Sequence, residues 1–234
     1  MTRELFREDA YLKTCAATVL AAGPDGVVLD ATVFYPMGGG QPGDTGVLVL
    51  ADGTRLAVVD TRKGEAGILH VLAPGAAAPA IGAAVTAEID WDRRHRHMRM
   101  HTCLHLLCAT IPAGVTGGQV GADRSRLDFD PGEVVFDKEK IEAELNRLIA
   151  GNQPVAPRWI DEAELDAKPD LVRTMSVKPP RGTGQLRLID IDGVDLQPCG
   201  GTHVARTGEI GPVRVEKIES KGKRNRRVVV ALAP

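Results

Sequence analysis

The sequence predicts an α+β protein in which a small β-barrel precedes a mixed α/β domain. Residues 1–90 contain several short runs of apolar or alternating residues bounded by glycine, proline or aspartate, the pattern of short strands joined by turns. Near Asp90 the hydrophobic period changes to that of a helix. With 234 residues and 43% hydrophobic content, the chain can form two modest domains, which we assign to residues 1–90 and 91–234.

The first domain is predicted to consist mainly of strands. One low-complexity stretch, APGAAAPAIGAA at residues 73–84, predicts a surface loop. Short strands at this spacing favour a small barrel. The predicted strands are residues 27–33, 47–50, 56–59, 68–72 and 85–89.

The second domain is predicted to begin with a long helix over residues 93–111, which Pro112 ends. A second amphipathic helix is predicted over residues 138–149. A short third helix is predicted over residues 161–167, with Asp161 as its N-cap. The predicted strands are residues 118–120, 125–129, 185–191, 211–218 and 227–232.

Composition excludes several classes of protein. Aromatic residues make up only 3% of the chain, so a row of base-stacking side chains is not expected. No apolar run approaches a membrane span, and the first residues lack the apolar stretch of a signal peptide. Four cysteines without regular spacing fit a reducing compartment, so we expect a cytoplasmic protein without a membrane partner. The sequence leaves the oligomeric state open, with a monomer favoured.

Two short blocks carry the strongest chemical signal. His101 and His105 are four positions apart on the predicted long helix, so their imidazoles lie on one face and can converge on an ion. Cys199 and His203 have the same spacing in the later block CGGTH. Together the four side chains offer a donor set of three nitrogens and one sulfur, which predicts a tetrahedral Zn²⁺ site.

Each block also has a simpler interpretation when it is taken alone. The HxxxH pattern occurs on amphipathic helices without metal, and an isolated Cys199 is most often a small buried apolar residue. The long separation of the two blocks is unlike a zinc finger and favours a catalytic or substrate-facing site. Cys103 points away from His101 around the helix and is expected in the core, whereas Cys108 is expected near the site without being a ligand.

A glycine-rich segment, FYPMGGGQPGDTG at residues 34–46, is the next notable feature. Three consecutive glycines allow positive φ angles and the close approach of another chain or ligand. The segment is either a flexible β-hairpin loop or a loop that lies over the metal pocket and touches substrate.

Two basic runs stand out against a net charge of −2. One precedes the predicted metal-binding helix, and the other lies near the C-terminus with Glu219 as its single acid. Such runs are either solvated faces or contacts for a phosphate-bearing substrate, and the position of the first beside the metal helix favours phosphate. The residues predicted to contact the polyanion are Arg93, Arg94, Lys221, Lys223, Arg224, Arg226 and Arg227.

Four ordered motifs resemble the editing region of alanyl-tRNA synthetases: FYPMGGGQPGDTG, RMHTCLHLL, VTGGQVGADRSRLDFD and the stretch that begins LQPCGGTHVARTGEIG. They are most similar to the free-standing alanyl-tRNA editing proteins of the AlaX type, in the medium-length form. The resemblance covers nearly the whole chain and implies a β-barrel followed by an α/β editing domain. The residues it implies are His101, His105, Cys199 and His203 as zinc ligands, Gly38, Gly39, Gly40 and Gln41 for substrate recognition, and Gln119 in the pocket.

The resemblance implies hydrolysis of the ester that joins a wrong amino acid to tRNA(Ala), with Ser-tRNA(Ala) as the main substrate and Gly-tRNA(Ala) as a second one. An alanine pocket excludes these amino acids poorly, because one methyl group changes binding by only about 1–3 kcal/mol. An editing site must therefore recognise the serine hydroxyl. Thr102, Thr116 and Gln119 are predicted to do so, with Thr102 and Gln119 assigned to the catalytic site. His203 is expected to be the weakest zinc ligand, because it lies in a glycine-rich loop.

Two other functions are compatible with the sequence. One is a non-catalytic, zinc-stabilised tRNA-binding module. The other is a metal-dependent hydrolase of small esters or amides, against which the basic runs argue.

Overall fold

The computed structural model describes residues 2–167, 171–172, 182 and 184–233. The chain divides into two compact units, Met1–His95 and Arg96–Pro234. The first unit contains a closed six-stranded barrel and the second combines helices with two antiparallel sheets, so the predicted α+β class with an N-terminal barrel is confirmed. None of the helices in the described residues is long and apolar enough to cross a membrane.

The barrel is closed by strands in the order β2–β3–β7–β6–β5–β8. The strand predicted over residues 27–33 is divided between β3 and β4, and residues 73–83 form a connection outside the helices and strands. Strand β2 is absent from the predicted set because its sequence is rich in alanine, a weak strand former. In chain order the elements are β1 (Arg3–Glu4), α1 (Leu5–Glu8), β2 (Thr14–Gly23), β3 (Gly26–Leu29), β4 (Ala31–Thr32), β5 (Gly46–Leu50), β6 (Arg55–Gly64), β7 (Gly67–Leu72) and β8 (Ala84–Ile89).

Alternating side chains fill the barrel. In β8, every second residue is buried, and Val85, Ala87 and Ile89 belong to the same core cluster as Val19 and Leu29. Because the side-chain period of a strand is two, a slip of one residue would expose this whole set, so the apolar pattern fixes the register of the barrel.

The second half of the glycine-rich segment is structural. A Cβ atom on Gly43 would lie 2.0 Å from the carbonyl oxygen of Thr61, and one on Gly46 would lie 2.1 Å from that of Glu88, so the backbone approaches neighbouring strands too closely for any other residue. Asp44 lies between these glycines and is buried, and its Oδ2 accepts a hydrogen bond from the backbone nitrogen of Tyr35 at 2.7 Å.

Arg94 forms a buried ion pair with Asp44. Its Nε donates to Asp44 Oδ2 at 2.9 Å, and its other nitrogens donate to the carbonyl oxygens of Ala10 at 3.0 Å and Val33 at 2.6 Å. The sequence assigned Arg94 to tRNA contact. The structure corrects this assignment, because the guanidinium is fully buried and its donors are used inside the first unit. Removing one partner from such a pair typically costs about 3–5 kcal/mol of stability.

The second unit contains a four-stranded sheet in the order β14–β15–β10–β9 and a three-stranded sheet in the order β11–β12–β13. Helix α2 begins at Trp91 and continues along the chain into this unit. In chain order the elements are α2 (Trp91–Thr110), β9 (Gly114–Gln119), β10 (Arg124–Asp130), α3 (Lys138–Ala150), β11 (Val155–Asp161), α4 (Glu162–Ala167), β12 (Gln185–Ile191), β13 (Asp195–Pro198), a 3₁₀ helix (Thr207–Ile210), β14 (Val213–Ser220) and β15 (Arg226–Leu232).

The two long helices agree with their predicted limits to within two residues. Helix α3 begins where Asp137 accepts a hydrogen bond from the backbone nitrogen of Lys140 at 3.2 Å, the usual way in which an N-cap satisfies a free amide. Strand β11 was not among the predicted strands, because it contains Pro157 and its central residues are exposed. Asp161 is the last residue of β11 and directly precedes α4.

His70 on β7 is a buried neutral histidine. Its Nδ1 lies 3.1 Å from the carbonyl oxygen of Val27, and its Nε2 lies 2.7 Å from Thr32 Oγ1. A carbonyl can only accept, so Nδ1 carries the proton and Nε2 accepts from the threonine hydroxyl. Burial lowers the pKa of His70 to about 4, since a charged imidazolium would lose its hydration.

We expect His70 to make the protein less stable in mild acid. Its pKa is lower in the folded than in the unfolded chain, so the unfolded state binds the proton first. Stability contributed by the neutral ring is therefore lost as the pH falls from about 6.5 to about 4, by up to about 3 kcal/mol. Urea unfolding of wild type and His70→Gln at pH 7 and pH 4.5 measures this. An identical loss of stability in both proteins on acidification would contradict it.

Candidate metal centre

Helix α2 supplies two of the four candidate metal ligands. His101 and His105 are one turn apart on the same face, with ring centroids 5.6 Å apart, and both are buried. Cys103, on another face of the same helix, is fully buried, and burial raises the pKa of its thiol to about 12. Cys103 is therefore an apolar core residue, as expected.

The loop after β13 supplies the other two ligands. Cys199 Sγ lies 3.5 Å from His101 Nε2 and 3.2 Å from His203 Nε2, and the four candidate ligand atoms, including one from His105, all lie within 4.8 Å of one another. Ligand atoms around one tetrahedral ion, with bonds of about 2.0–2.1 Å to nitrogen and about 2.3 Å to sulfur, are separated by about 3.3–3.6 Å. The predicted convergence of the two blocks is thus present, and these side chains fit a single metal ion.

Two of the imidazoles are oriented by hydrogen bonds on the side away from the cluster. Nδ1 of His105 lies 3.0 Å from Asp195 Oδ2, which also accepts from Gln197 Nε2 at 2.7 Å. Since a carboxylate accepts, His105 carries a proton on Nδ1, and its Nε2 is left to face the cluster, where an ion would replace any second proton. Such partners hold a ligand ring in the tautomer and orientation that metal binding requires.

His203 is held in the same way by Thr102. The Thr102 hydroxyl donates to the carbonyl oxygen of Met98 at 2.9 Å, so at 3.1 Å it accepts from Nδ1 of His203. The backbone nitrogen of Val204 also donates to this hydroxyl at 3.3 Å. His203 is buried and fixed despite its glycine-rich loop, so the reason for expecting it to be the weakest ligand is removed.

The electrostatics of the cluster favour the deprotonated, metal-binding forms of Cys199 and His203. Burial alone would raise the pKa of the Cys199 thiol, but the positive character of His101 and His203 outweighs it and the pKa falls well below its usual value. Burial, with the neighbouring His101, lowers the pKa of His203 well below its usual value. Burial also lowers the pKa of His105, but hydrogen bonds to Asp195 and Cys199 overcome this and raise it to about 10. A thiolate and a neutral imidazole are the forms that bind metal.

Arg187 anchors the metal-binding loop. Its Nη1 donates to the carbonyl oxygens of Cys199 at 2.8 Å and Gly201 at 3.0 Å. Sequence reasoning missed Arg187, Asp195 and Gln197. No motif marks them, because their roles depend on the pairing of β12 with β13.

The three residues predicted to recognise the substrate hydroxyl have different surroundings. Thr102 is fully buried next to the cluster, where its hydroxyl is used by Met98, His203 and Val204. Thr116 lies on the edge strand β9, and among the described residues its buried Oγ1 has no hydrogen-bond partner. Gln119 is exposed, and its Oε1 accepts from Arg126 Nε at 3.3 Å.

The three consecutive glycines of the first unit form a tight turn. Backbone hydrogen bonds of 3.1 and 2.9 Å join Gly38 and Gln41, while Gly39 and Gly40 adopt φ angles of 56° and 81°. Positive φ at both central positions requires glycine or a residue such as asparagine. The turn tip is exposed, and Met37 beside it is 54% exposed. Of the two interpretations, the hairpin-like turn is observed, and the role in substrate binding stays a prediction.

The C-terminal basic run is partly neutralised by acids distant in sequence. The register of β15 on β10 places Arg227 opposite Asp128, which accepts from Arg227 at 2.7 and 2.9 Å and from Arg126 at 2.8 Å. The hydrogen bond from Arg227 lowers the pKa of Asp128. Arg226 donates to Ser220 Oγ.

Two more cations of this run lie beside carboxylates. Arg224 pairs with Asp130 and Lys221 with Glu219, each at 3.3 Å, whereas Lys223 is exposed. The expectation that Glu219 is the only opposing acid is therefore corrected. Exposed ion pairs are weak, so these cations can still meet a phosphate, but the net positive potential of the surface is smaller than the sequence indicates.

Comparisons with known proteins agree with these motifs. The chain matches the family model described as "Threonyl and Alanyl tRNA synthetase second additional domain" over residues 186–229, and that described as "tRNA synthetases class II (A)" over residues 9–93. It is 40% identical to "Alanyl-tRNA editing protein AlaX-M" of Methanosarcina mazei, over 99% of this chain and 97% of the relative. It is 34% identical to the protein of the same name from Saccharolobus solfataricus over the whole of both chains. It is also 37% identical to "Alanine--tRNA ligase" of Pyrococcus furiosus, over 93% of this chain and 24% of that enzyme.

We expect Asp195→Asn to weaken metal binding about tenfold or more, because the neutral amide holds the His105 ring less firmly. The affinity for Zn²⁺, measured by competition with a chromophoric chelator, tests this. Asp192→Asn, an exposed change in the same β12–β13 hairpin, should leave the affinity unchanged. Equal affinities of Asp195→Asn and wild type would show that Asp195 does not support the ligand.

Proposed function

The chain belongs to the alanyl-tRNA editing proteins of the AlaX-M type, and we propose that it hydrolyses the ester bond of mischarged tRNA(Ala) in trans. The observation that carries the proposal is the buried cluster of three imidazoles and one thiol, with polar side chains supporting two of its histidines. An enzyme with this substrate would act in the cytoplasm, where charged tRNA is used.

We propose zinc as the ion held by His101, His105, Cys199 and His203. Three nitrogen donors and one thiolate suit a borderline-soft, redox-inactive ion that prefers tetrahedral coordination. When bound, zinc supplies Lewis acidity towards the ester carbonyl and lowers the pKa of a coordinated water. The protein's part is to orient two of the ligand rings, His105 through Asp195 and His203 through Thr102.

Selectivity must come from recognition of a hydroxyl group. A site that hydrogen-bonds the serine hydroxyl leaves its own polar groups unpaired when alanine enters, and this rejects alanine more strongly than any hydrophobic pocket. Thr116 is the better candidate for this contact, since Thr102 already uses its hydroxyl on Met98 and His203. Gln119 would first have to release Arg126. The turn formed by Gly38, Gly39 and Gly40 is proposed as a further substrate contact, whereas Gln41, also predicted to touch substrate, is fully buried in the structure.

Cations of both units are proposed to contact the tRNA backbone. Phosphate contacts require exposed guanidinium or ammonium groups, and each contact adds to the salt dependence of binding. Arg94 is excluded by its burial. The cations that we retain are Lys221, Lys223 and Arg224, which are exposed, and Arg93, Arg226 and Arg227, which are half-buried. Of these, Arg93 also donates to the carbonyl oxygen of Gly43 at 2.7 Å.

One observation favours a second candidate, a tRNA-binding module with a purely structural ion. All four candidate ligand atoms converge, and a closed set of four protein ligands is typical of structural zinc sites, whereas catalytic sites keep a position open. The two candidates differ in whether the purified protein hydrolyses any aminoacyl-tRNA.

We expect the zinc-loaded protein to deacylate Ser-tRNA(Ala) at least about 100-fold faster than Ala-tRNA(Ala), because a hydrogen-bonding site rejects the analogue that lacks the hydroxyl. Gly-tRNA(Ala) completes the panel, which is run with and without chelator. The His101→Ala variant should lose metal and activity together. The matched control is His95→Ala on the same helix, whose ring stacks on Trp91 and is not in the cluster.

The outcomes of this panel separate the candidates. Hydrolysis of none of the three tRNAs by zinc-replete protein would reject the editing function and favour the binding module. Equal turnover of simple aminoacyl esters would favour a small-ester hydrolase. Full activity of metal-free His101→Ala would exclude the cluster as the active centre.

A further inference from the structure

Trp159 is an exposed aromatic residue on the sheet that carries the metal-binding loop. It lies on β11 and is 50% exposed, an unusual position for the largest side chain in a protein with few aromatic residues. The other tryptophan, Trp91, packs against Tyr11 and His95. Half of the Trp159 side chain is open to solvent, so its ring offers an aromatic face to a ligand.

Trp159 belongs to the same cross-strand row as the metal ligand Cys199. The register pairs Trp159 with Arg187, and on the other side of Arg187 the backbone nitrogen of Cys199 donates to the Arg187 carbonyl at 3.1 Å. Neighbouring strands are about 4.8 Å apart, so the backbone of Trp159 lies about 10 Å from that of Cys199.

The side chain of Trp159 shares its sheet face with the residues that support the metal ligands. Residues that are paired across antiparallel strands lie on one face, and faces alternate along each strand. Trp159 pairs with Arg187, and two residues further along β12, Ile189 pairs with Gln197. Asp195, the partner of His105, follows on the same face. The opposite face carries the apolar cluster that packs on α4.

We propose that Trp159 stacks on a nucleobase at the 3′ end of the aminoacylated RNA, an inference that rests on the proposed function. The ester is carried by the ribose of the terminal nucleotide, so its base must lie within one nucleotide's length of the metal centre. A half-exposed indole meets this requirement, because its backbone lies about 10 Å from that of Cys199 and its side chain is on the same sheet face as Cys199 and Asp195. Stacking suits every base because each has a π-face.

Arg187 strengthens the case for an RNA ligand. It lies between Trp159 and Cys199 in the row, and its guanidinium is anchored by the carbonyl oxygens of Cys199 and Gly201. A fixed cation beside an exposed aromatic ring favours a base that is linked to phosphate over an apolar protein surface. The contact requires only one aromatic residue, which agrees with a chain that has too few aromatic residues to form a row of base-stacking side chains.

The test uses the fluorescence of Trp159. In a Trp91→Phe background, Trp159 is the sole tryptophan, since the chain has two. We expect saturable quenching by the trinucleotide CCA and by uncharged tRNA(Ala). We also expect Trp159→Ala to raise the KM for Ser-tRNA(Ala) about 10- to 100-fold with little change in kcat or metal content, and Trp159→Phe to restore most of the loss.

Three results would overturn the proposal: no quenching by CCA, an unchanged KM in Trp159→Ala, or a fall in kcat and metal content without a change in KM, which marks a merely structural residue. The wild-type deacylation assay reports separately on the proposed function. Quenching by CCA in a protein that hydrolyses no aminoacyl-tRNA would support the stacking site while the editing function fails.

Discussion

The organisation of the second unit depends on the meeting of a helix and a loop that are 98 residues apart, at the contact of His101 with Cys199. Three imidazoles and a thiol are concentrated there with little access to water. Without an ion, such groups lose hydration and must share protons among themselves, which is costly in a low-dielectric interior. An ion bound by the folded chain would supply the missing partner, and its binding would then also stabilise this unit. The β12–β13 hairpin serves the same centre, because it carries the loop at one end and Asp195 at the other.

The first unit has its own constraint in the ion pair of Asp44 and Arg94. The glycine-rich segment of the sequence has two halves with separate physical causes. Gly43 and Gly46 are required by contact with neighbouring strands and place Asp44 in the interior. At Gly39 there is open space for a side chain, so what requires glycine at Gly39 and Gly40 is the positive φ angle that each adopts in the tight turn. A motif that is continuous in sequence therefore has an exposed first half, around Gly39 and Gly40, and a structural second half. Only the exposed half is accessible to a ligand.

Much of this architecture follows from local patterns, and the rest depends on strand register. The long helix, most of the barrel strands and the four candidate metal ligands are predictable, because hydrophobic period, turn residues and the i, i+4 spacing are local signals. The buried role of Arg94 is not, since nothing near it in sequence identifies Asp44 as its partner. Asp195 and Arg187 acquire their roles from the pairing of β12 with β13. Asp128 neutralises Arg227 through the pairing of β10 with β15. Charge balance across a sheet cannot be read from a run of basic residues alone.

A three-stranded sheet is a suitable frame for a substrate with two separate points of recognition. If the base rests on Trp159 and the ester lies at the metal centre, both are positioned by one sheet, in which backbone hydrogen bonds to the central strand β12 fix the spacing of β11 and β13. Arg187 links them directly, because it pairs with Trp159 and holds the carbonyl oxygens of the metal-binding loop. Precise placement then needs no large rearrangement, and binding energy from the base can orient a small aminoacyl group that offers few contacts of its own. A substrate without its terminal base would keep its ester and lose this orientation, so the proposed discrimination between serine and alanine would depend on contacts distant from the amino acid as well as on those that touch it.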